Sequence, residues 1–330
     1  AGEVVRVDLA TGAKEVVAHL EVGIDNLTFD SHDRLYVSNA HDGSVVRVLP
    51  NGYGLPIQRG GLTAPGGAAL ALHEGSQRLF VSDTYTLREL DRWTGREVGI
   101  IHSVLGRPGL STPLSIGSFG AQLVTTSWFG KVVQVFDPET SAVVATHADF
   151  PVPIFATSFG QDLVVSELAT HCVWRRPAGT TDRIPLGCGL PVPAGIASDG
   201  SDLFVAEWAS GNVYQLVQGG ATLSPARVVA SGLSHPEGLA LTPEGALLVV
   251  ETGTRTLSRI DLATQQKTVV ADDLDVALAA PAGYPPTWVF NGVAVDACGV
   301  IYVTGDAGSS VTRIIPQSWD LHRCLGSDQH

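Results

Sequence analysis

Three stretches of the sequence decide the fold because they repeat one pattern. They read PEGLALTPEGALLVVE over residues 236–251, PAGIASDGSDLFVAE over residues 193–207 and FNGVAVDACGVIYVTG over residues 290–305. In each stretch, two apolar-rich runs flank a short turn that contains glycine, which predicts two antiparallel strands and a tight connection. Self-similarity of this kind indicates a repeat architecture.

Related units begin near Ile24, Pro65, Pro113 and Pro153, which brings the number of repeats to seven. The residue that ends the second strand recurs after 44, 44, 40, 40, 44 and 54 residues. This spacing is typical of propeller blades of roughly 40 to 50 residues and argues against a β-sandwich. We therefore predict an all-β β-propeller with four-stranded antiparallel blades, seven in number, with six as the alternative.

The repeats fill the chain, so we expect one propeller domain over residues 1–330. Residues 1–20 resemble the outer strands of a blade and are expected to be closing strands, with residues 318–330 as a C-terminal tail. The two termini would then meet in one blade, which removes the free edge of the ring.

Composition excludes several classes of protein. Only 16% of the residues are charged and 44% are hydrophobic, which excludes a disordered chain. The net charge is −13, and the clustered basic residues that nucleic acid requires are limited to Arg175 and Arg176. The apolar runs are too short to span a membrane. We expect a monomer that acts on a small neutral or weakly polar substrate.

The four cysteines suggest two disulfides. Cys172 and Cys188 lie symmetrically about a turn, where a hairpin would place them opposite each other. Cys298 lies in a turn of the last repeat and Cys324 in the tail, so a bridge there would tie the tail to the closing blade. Two disulfides would place the protein outside the cytosol, in an extracellular or periplasmic space with any signal peptide outside the given chain. Four buried free thiols are the alternative.

Two columns of side chains are expected to converge at one end of the channel. The first column precedes the innermost strands, and its oxygen-bearing members are Glu237, Asn291 and the pair Asp25 and Asn26. Carboxylate and amide oxygens around one axis are the ligands that calcium prefers. Ordinary turn chemistry before a strand is the alternative interpretation.

These motifs carry a family resemblance. The repeats resemble those of NHL-type propellers, and Pro236-Glu237-Gly238, Asn291-Gly292 and Asp25-Asn26 are similar to the metal motifs of the calcium-dependent propeller group of gluconolactonases, paraoxonases and strictosidine-synthase-like proteins. The resemblance implies a calcium ion held by these residues and a lactone or ester hydrolase. That group has six blades, whereas seven repeats are counted here.

The second column ends the second strand of each repeat and is polar in six of seven. Its side chains either accept backbone N–H bonds from a neighbouring loop, or support a metal and acid–base chemistry. Under the second interpretation Glu207 and Glu251 are candidate catalytic residues. The pocket residues predicted from this column and its neighbours are Asn39, Asp83, Ser127, Trp128, Glu167, Trp208 and Asp306.

His235 lies two residues before Glu237 and is the candidate general base. It could equally be a solvated loop residue, and the two tryptophans could simply pack blade against blade. The leading hypothesis is a secreted hydrolase with a channel-bound calcium. The alternatives are a non-catalytic binding propeller and a metal-dependent lyase that resembles streptogramin lyase.

Overall fold

The computed structural model describes residues 2–73, 76–103 and 109–316. Within these ranges the regular structure is entirely β. No helix in the described part is long and apolar enough to cross a membrane. Contacts divide the chain into two compact units, Ala1–Thr63 and Ala64–His330. The all-β prediction is confirmed.

The first unit holds a hairpin and one four-stranded antiparallel sheet. Its core contains Val4, Ala18 and Val37, whereas the strand that carries Asp25 and Asn26 is exposed along most of its length. The hairpin consists of β1 (Glu3–Val7) and β2 (Lys14–His19), and the sheet consists of β3 (Ile24–Phe29), β4 (Leu35–Asn39), β5 (Val45–Val48) and β6 (Gly54–Gln58).

The second unit contains six antiparallel sheets, each made from consecutive strands. Sheet 1 is β7 (Pro65–His73), β8 (Ser76–Asp83), β9 (Thr86–Leu90) and β10 (Glu97–His102); sheet 2 is β11 (Ser115–Phe119), β12 (Gln122–Ser127), β13 (Val132–Asp137) and β14 (Ala142–His147); sheet 3 is β15 (Pro153–Phe159), β16 (Asp162–Glu167), β17 (Cys172–Arg176) and β18 (Ile184–Cys188). Sheet 4 is β19 (Pro193–Ser198), β20 (Leu203–Glu207), β21 (Asn212–Gln218) and β22 (Ala221–Ala230); sheet 5 is β23 (Pro236–Leu241), β24 (Leu247–Glu251), β25 (Thr256–Ile260) and β26 (Lys267–Ala271); sheet 6 is β27 (Val293–Val295), β28 (Ile301–Gly305) and β29 (Ser310–Ile314).

These six sheets close into a ring. The first strand of each sheet contacts the first strand of the next, and β27 and β28 of sheet 6 contact β7 of sheet 1. The Thr304 hydroxyl donates to the Gly66 carbonyl oxygen at 2.9 Å. The buried pair Arg92 and Asp296, 2.9 Å apart, joins the same two sheets farther out. The six sheets of residues 64–316 therefore form a closed ring, and the number of blades in the propeller stays a prediction.

The assignment of residues 1–20 as closing strands stays a prediction. Among the described residues β1 pairs with β2, and sheet 6 contains three strands. The predicted tail, residues 318–330, lies outside the described residues.

Glycines bring the innermost strands together around the axis. A Cβ at Gly195 would lie 2.3 Å from the Glu237 carbonyl oxygen, and a Cβ at Gly238 would lie 2.6 Å from that of Asn291. A Cβ at Gly292 would lie 2.8 Å from the Gly67 Cα. Such contacts exclude any side chain. The glycines of the Pro-Glu-Gly and Asn-Gly motifs are thus required where neighbouring blades approach.

The first predicted disulfide is confirmed. Cys172 and Cys188 are directly paired across β17 and β18 and form a disulfide. Cys298 is also disulfide-bonded, while Cys324, its predicted partner, lies outside the described residues. The disulfide agrees with an oxidising compartment such as the extracellular or periplasmic space.

Candidate functional site

One mouth of the ring has an apolar half and a polar half. Equivalent positions at the start of the six innermost strands converge on the channel axis, because the blades are arranged around it. In sheets 1 to 4 these positions bear no ionisable side chain, whereas sheets 5 and 6 supply a carboxylate and an amide. In order around the ring, the residues are Gly66, Leu114, Ile154, Ala194, Glu237 and Asn291.

The polar half is a continuous hydrogen-bonded wall. The backbone N–H and the side-chain amide of Asn291 donate to Glu237 Oε2 at 2.7 and 3.0 Å. Thr252 Oγ1 lies 3.1 Å from Glu237 Oε1. On its other side, Asn291 Oδ1 accepts the backbone N–H of Asp306 at 3.1 Å. Two carboxylates therefore flank one amide, and the wall combines two predicted metal ligands with the predicted pocket residue Asp306.

Burial makes negative charge costly in this wall. Glu237 is only 1% exposed, and burial raises the pKa of its carboxyl from 4.5 to about 8, although its hydrogen bonds with Asn291 oppose the change. Asp306 is 2% exposed, and burial raises its carboxyl pKa too. The ion pairs among the described residues include neither carboxylate. Asp306 Oδ1 also has no hydrogen-bond partner.

The second column has the contacts expected if its members hold loops in place. The carboxylates of Asp83, Glu167 and Glu251 accept backbone N–H bonds from Ala64, Val152 and Ser234, each in the loop before the innermost strand of the same sheet. The Ser127 hydroxyl makes the analogous bond to Thr112 at 2.7 Å, and Asn39 donates to the Val22 carbonyl oxygen at 3.0 Å in the first unit.

The contacts of Glu207 and Glu251 favour a structural role over the predicted catalytic one. Glu207 accepts backbone N–H bonds from Val192, Ala209 and Ser210 at 2.7, 3.2 and 2.6 Å. Glu251 is paired with Lys267 at 3.0 Å and also accepts bonds from Ser234 and Ser258. Both carboxylates therefore accept hydrogen bonds from groups of the fold on both of their oxygens.

The remaining predicted residues are distributed differently. His235 is exposed, and its ring stacks on Trp208 with centroids 4.0 Å apart. Its role as general base stays a prediction. Asp25 and Asn26 are exposed on β3 of the first unit, where the Asn26 amide donates to Asp25 Oδ2 at 2.9 Å. Their participation in a metal site also stays a prediction.

Sequence reasoning missed the segment that covers the mouth. The strap, defined as residues 276–289, lies between β26 and β27 and accounts for the long last step of 54 residues. Its Tyr284 and Trp288 each pack on Trp128 of sheet 2 with ring centroids 5.6 Å apart. At its base, the Leu278 backbone N–H donates to Asp306 Oδ2 at 3.1 Å. The last step is ten residues longer than the step of 44 before it, and this extra length was the feature of the sequence that could have revealed the strap.

Comparisons with known proteins support the fold. No protein-family model matches the chain, and no curated protein matches it. Among solved structures, a gluconolactonase from Xanthomonas campestris is 14% identical with a TM-score of 0.56, over 86% of this chain and 93% of that one. The calcium-binding protein regucalcin from Agrobacterium tumefaciens is 12% identical with a TM-score of 0.53, over 82% and 88%.

A streptogramin B lyase is also similar, at 13% identity and a TM-score of 0.51, over 88% of this chain and 92% of that one. Sequence identities this low show the fold alone. The chain thus has a β-propeller fold that is similar to those of proteins with different activities, and the fold alone does not identify its function.

Proposed function

We propose that the protein is a hydrolase that acts on a lactone or ester at the Glu237–Asn291–Asp306 wall, with calcium as its cofactor. One observation carries the proposal. Asn291 donates to the buried Glu237 carboxylate and accepts the backbone N–H of Asp306, and the buried Asp306 Oδ1 atom has no hydrogen-bond partner. Unpaired buried carboxylates are costly, so natural sites that contain them are commonly functional.

The donor set fits a hard cation on one side of the mouth. The Glu237 carboxylate has no basic partner among the described ion pairs, and a bound cation would supply the missing positive charge. Glu237 and Asn291 would hold the ion through oxygen, as calcium prefers. No group of three or more His, Cys, Asp or Glu side chains that could hold a metal occurs in the described residues. Water or substrate would therefore complete the coordination.

The chain's own residues then have distinct tasks. When bound, calcium polarises a carbonyl group and stabilises the negative charge that develops on its oxygen. Asp306 Oδ1 can accept a hydrogen bond, and then the proton, of the attacking water. Water would then add to the carbonyl carbon, the C–O bond to the alkoxide would break, and the alkoxide would take up the proton that Asp306 had accepted. Leu114 and Ile154 in the apolar half exclude bulk water from the reacting group.

The test is an activity screen on γ-lactones, δ-lactones and aryl esters. A pH indicator detects the acid that hydrolysis releases, first with calcium present and then with chelator. We expect turnover that chelator abolishes and calcium restores. Asp306→Asn should lower kcat by about 100-fold or more, while the exposed control Asp182→Asn should leave it unchanged.

Calcium binding without turnover of any compound would contradict the hydrolase and favour the non-catalytic binding propeller. A cyclic depsipeptide belongs in the screen, because ring opening by elimination gives an unsaturated product whereas hydrolysis gives a hydroxy acid. The elimination product would favour the lyase alternative.

A further inference from the structure

The mouth that holds the polar wall is closed in this structure. Glu237, Leu114 and Ile154 are 1%, 3% and 2% exposed, although they lie where the ends of the innermost strands meet solvent in an open propeller. Leu114 and Ile154 pack in one apolar cluster with Trp128 and Val289. Because Glu237 is almost completely buried, a ligand can reach it only if part of its surroundings moves.

The strap is joined to the ring firmly at its base. The Leu278 N–H bonds to Asp306, and the Trp288 N–H bonds to the Leu278 carbonyl oxygen at 3.2 Å. Gly66 of sheet 1 has no side chain, and Val289 packs against it: a Cβ at Gly66 would lie 3.0 Å from the Val289 Cβ. These contacts fix both ends of the strap beside the mouth.

The tip of the strap is held far more weakly. Among the described backbone hydrogen bonds, one involves residues 280–286. The Tyr284 N–H donates to the Pro281 carbonyl oxygen at 3.3 Å. Three prolines in this stretch have no N–H to donate. Tyr284 is 50% exposed and contacts Trp128 through one ring face. Segments with few hydrogen bonds and little burial open at low free-energy cost.

We propose that the strap is the specificity-determining gate of the site. Its Tyr284 and Trp288 pack on Trp128, and this contact of three rings, the clasp, limits the width of a ligand that can reach the polar wall. A ligand with a narrow apolar body enters between the clasp and Ile154, and a broad one is rejected. This proposal rests on the proposed function only in taking the Glu237 wall as the place where ligand binds.

The experiment measures access to the mouth without any assay of turnover. Ile154→Cys places a thiol beneath the clasp, and the described cysteines are disulfide-bonded, so they do not compete for a thiol reagent. Labelling rates are measured in non-reducing buffer with methyl, benzyl and naphthylmethyl methanethiosulfonates, with the unsubstituted protein as blank. Val269→Cys, on an exposed strand position, reports the intrinsic reactivity of each reagent.

We expect slow labelling of Ile154→Cys that falls further with reagent width. Adding Tyr284→Ala should raise the rate at least tenfold, most for the widest reagent. The matched control Tyr53→Ala, which removes an exposed tyrosine of the first unit, should have no effect. Leu114→Cys repeats the measurement at a second position beneath the clasp in case Ile154→Cys does not fold.

Equal rates with and without Tyr284→Ala, for every reagent, would overturn the gate. That outcome is separable from a failure of the proposed function. Turnover with ungated labelling would retain the hydrolase and remove the gate, whereas gated labelling without turnover would retain the gate over a binding site.

Discussion

The apolar and polar halves of the channel mouth occupy equivalent positions of one repeat and differ in chemistry. Leu114, Ile154 and Ala194 are fully packed side chains of the core, whereas Glu237 and Asn291 form a hydrogen-bonded wall. A buried carboxylate and a buried amide at these two positions are costly unless they are hydrogen-bonded. The proposed function places its site at these two departures from the apolar pattern.

A second contrast separates two kinds of carboxylate. Glu207 accepts three backbone N–H bonds and serves the fold, while Asp306 retains one oxygen without a partner. Both are buried acidic side chains near the end of a second strand. Glu207 and Asp306 are thus both almost fully buried but differ in the number of carboxylate oxygens that have a hydrogen-bond partner.

The largest expected effect concerns the polar half in calcium-free buffer. Because the folded protein raises the pKa of Glu237 from 4.5 to about 8, the folded state retains a proton that the unfolded chain releases between these values. The stabilising effect of that proton is fully present below pH 4.5 and is lost as the pH rises toward 8. The free energy of unfolding should fall by about 1.4 kcal/mol per pH unit in this window.

Glu237→Gln should remove the part of this slope that Glu237 contributes, while the raised pKa of Asp306 leaves a smaller slope of the same sign, as measured by urea unfolding at pH 5, 6, 7 and 8 in chelator. Asp182→Asn, which changes an exposed acid, is the control and should keep the slope of the parent protein. Parallel pH profiles for Glu237→Gln and the parent would contradict the burial of a costly carboxylate at position 237.

A smaller effect is expected from a structural carboxylate. Glu207→Ala leaves three backbone N–H groups without their acceptor, and two of these donors lie on exposed residues. The free energy of unfolding should fall by about 2 kcal/mol. Urea unfolding at pH 7 measures it, and Glu207→Gln should recover part of the loss. Stability equal to the parent protein would show that the loop does not depend on Glu207.

The smallest effect is expected in the apolar half. Ile154→Val removes one buried methylene and should lower the free energy of unfolding by about 1 kcal/mol. The response of the melting temperature to calcium should stay unchanged, because the apolar half holds no ion. A variant with normal stability and an altered calcium response would break the division of the mouth into two halves.

Much of the architecture could be predicted from the sequence. The alternating runs predicted the paired strands, and the symmetric spacing of Cys172 and Cys188 predicted their disulfide. The regular steps also predicted the second column. These features are local, because a strand, a turn and the following strand are adjacent in the chain.

Ring closure could not be predicted in the same way. It depends on Arg92 with Asp296 and on Thr304 with Gly66, contacts between residues more than 200 positions apart. Repeat counting gives the number of sheets but does not identify which of them close. The contact of Tyr284 with Trp128 also joins residues far apart in the chain, although the extra length of the last repeat marked where the strap lies.

The most direct test of the central claim is the melting temperature in calcium and in chelator, for the parent protein and for Glu237→Gln. At calcium concentrations about 100 times the Kd, binding stabilises the folded state by about 2.7 kcal/mol, so the parent protein should melt several degrees higher in calcium. Glu237→Gln should lose this shift, and Leu114→Met in the apolar half should keep it. A parent protein whose melting temperature is the same in calcium and in chelator would contradict the account.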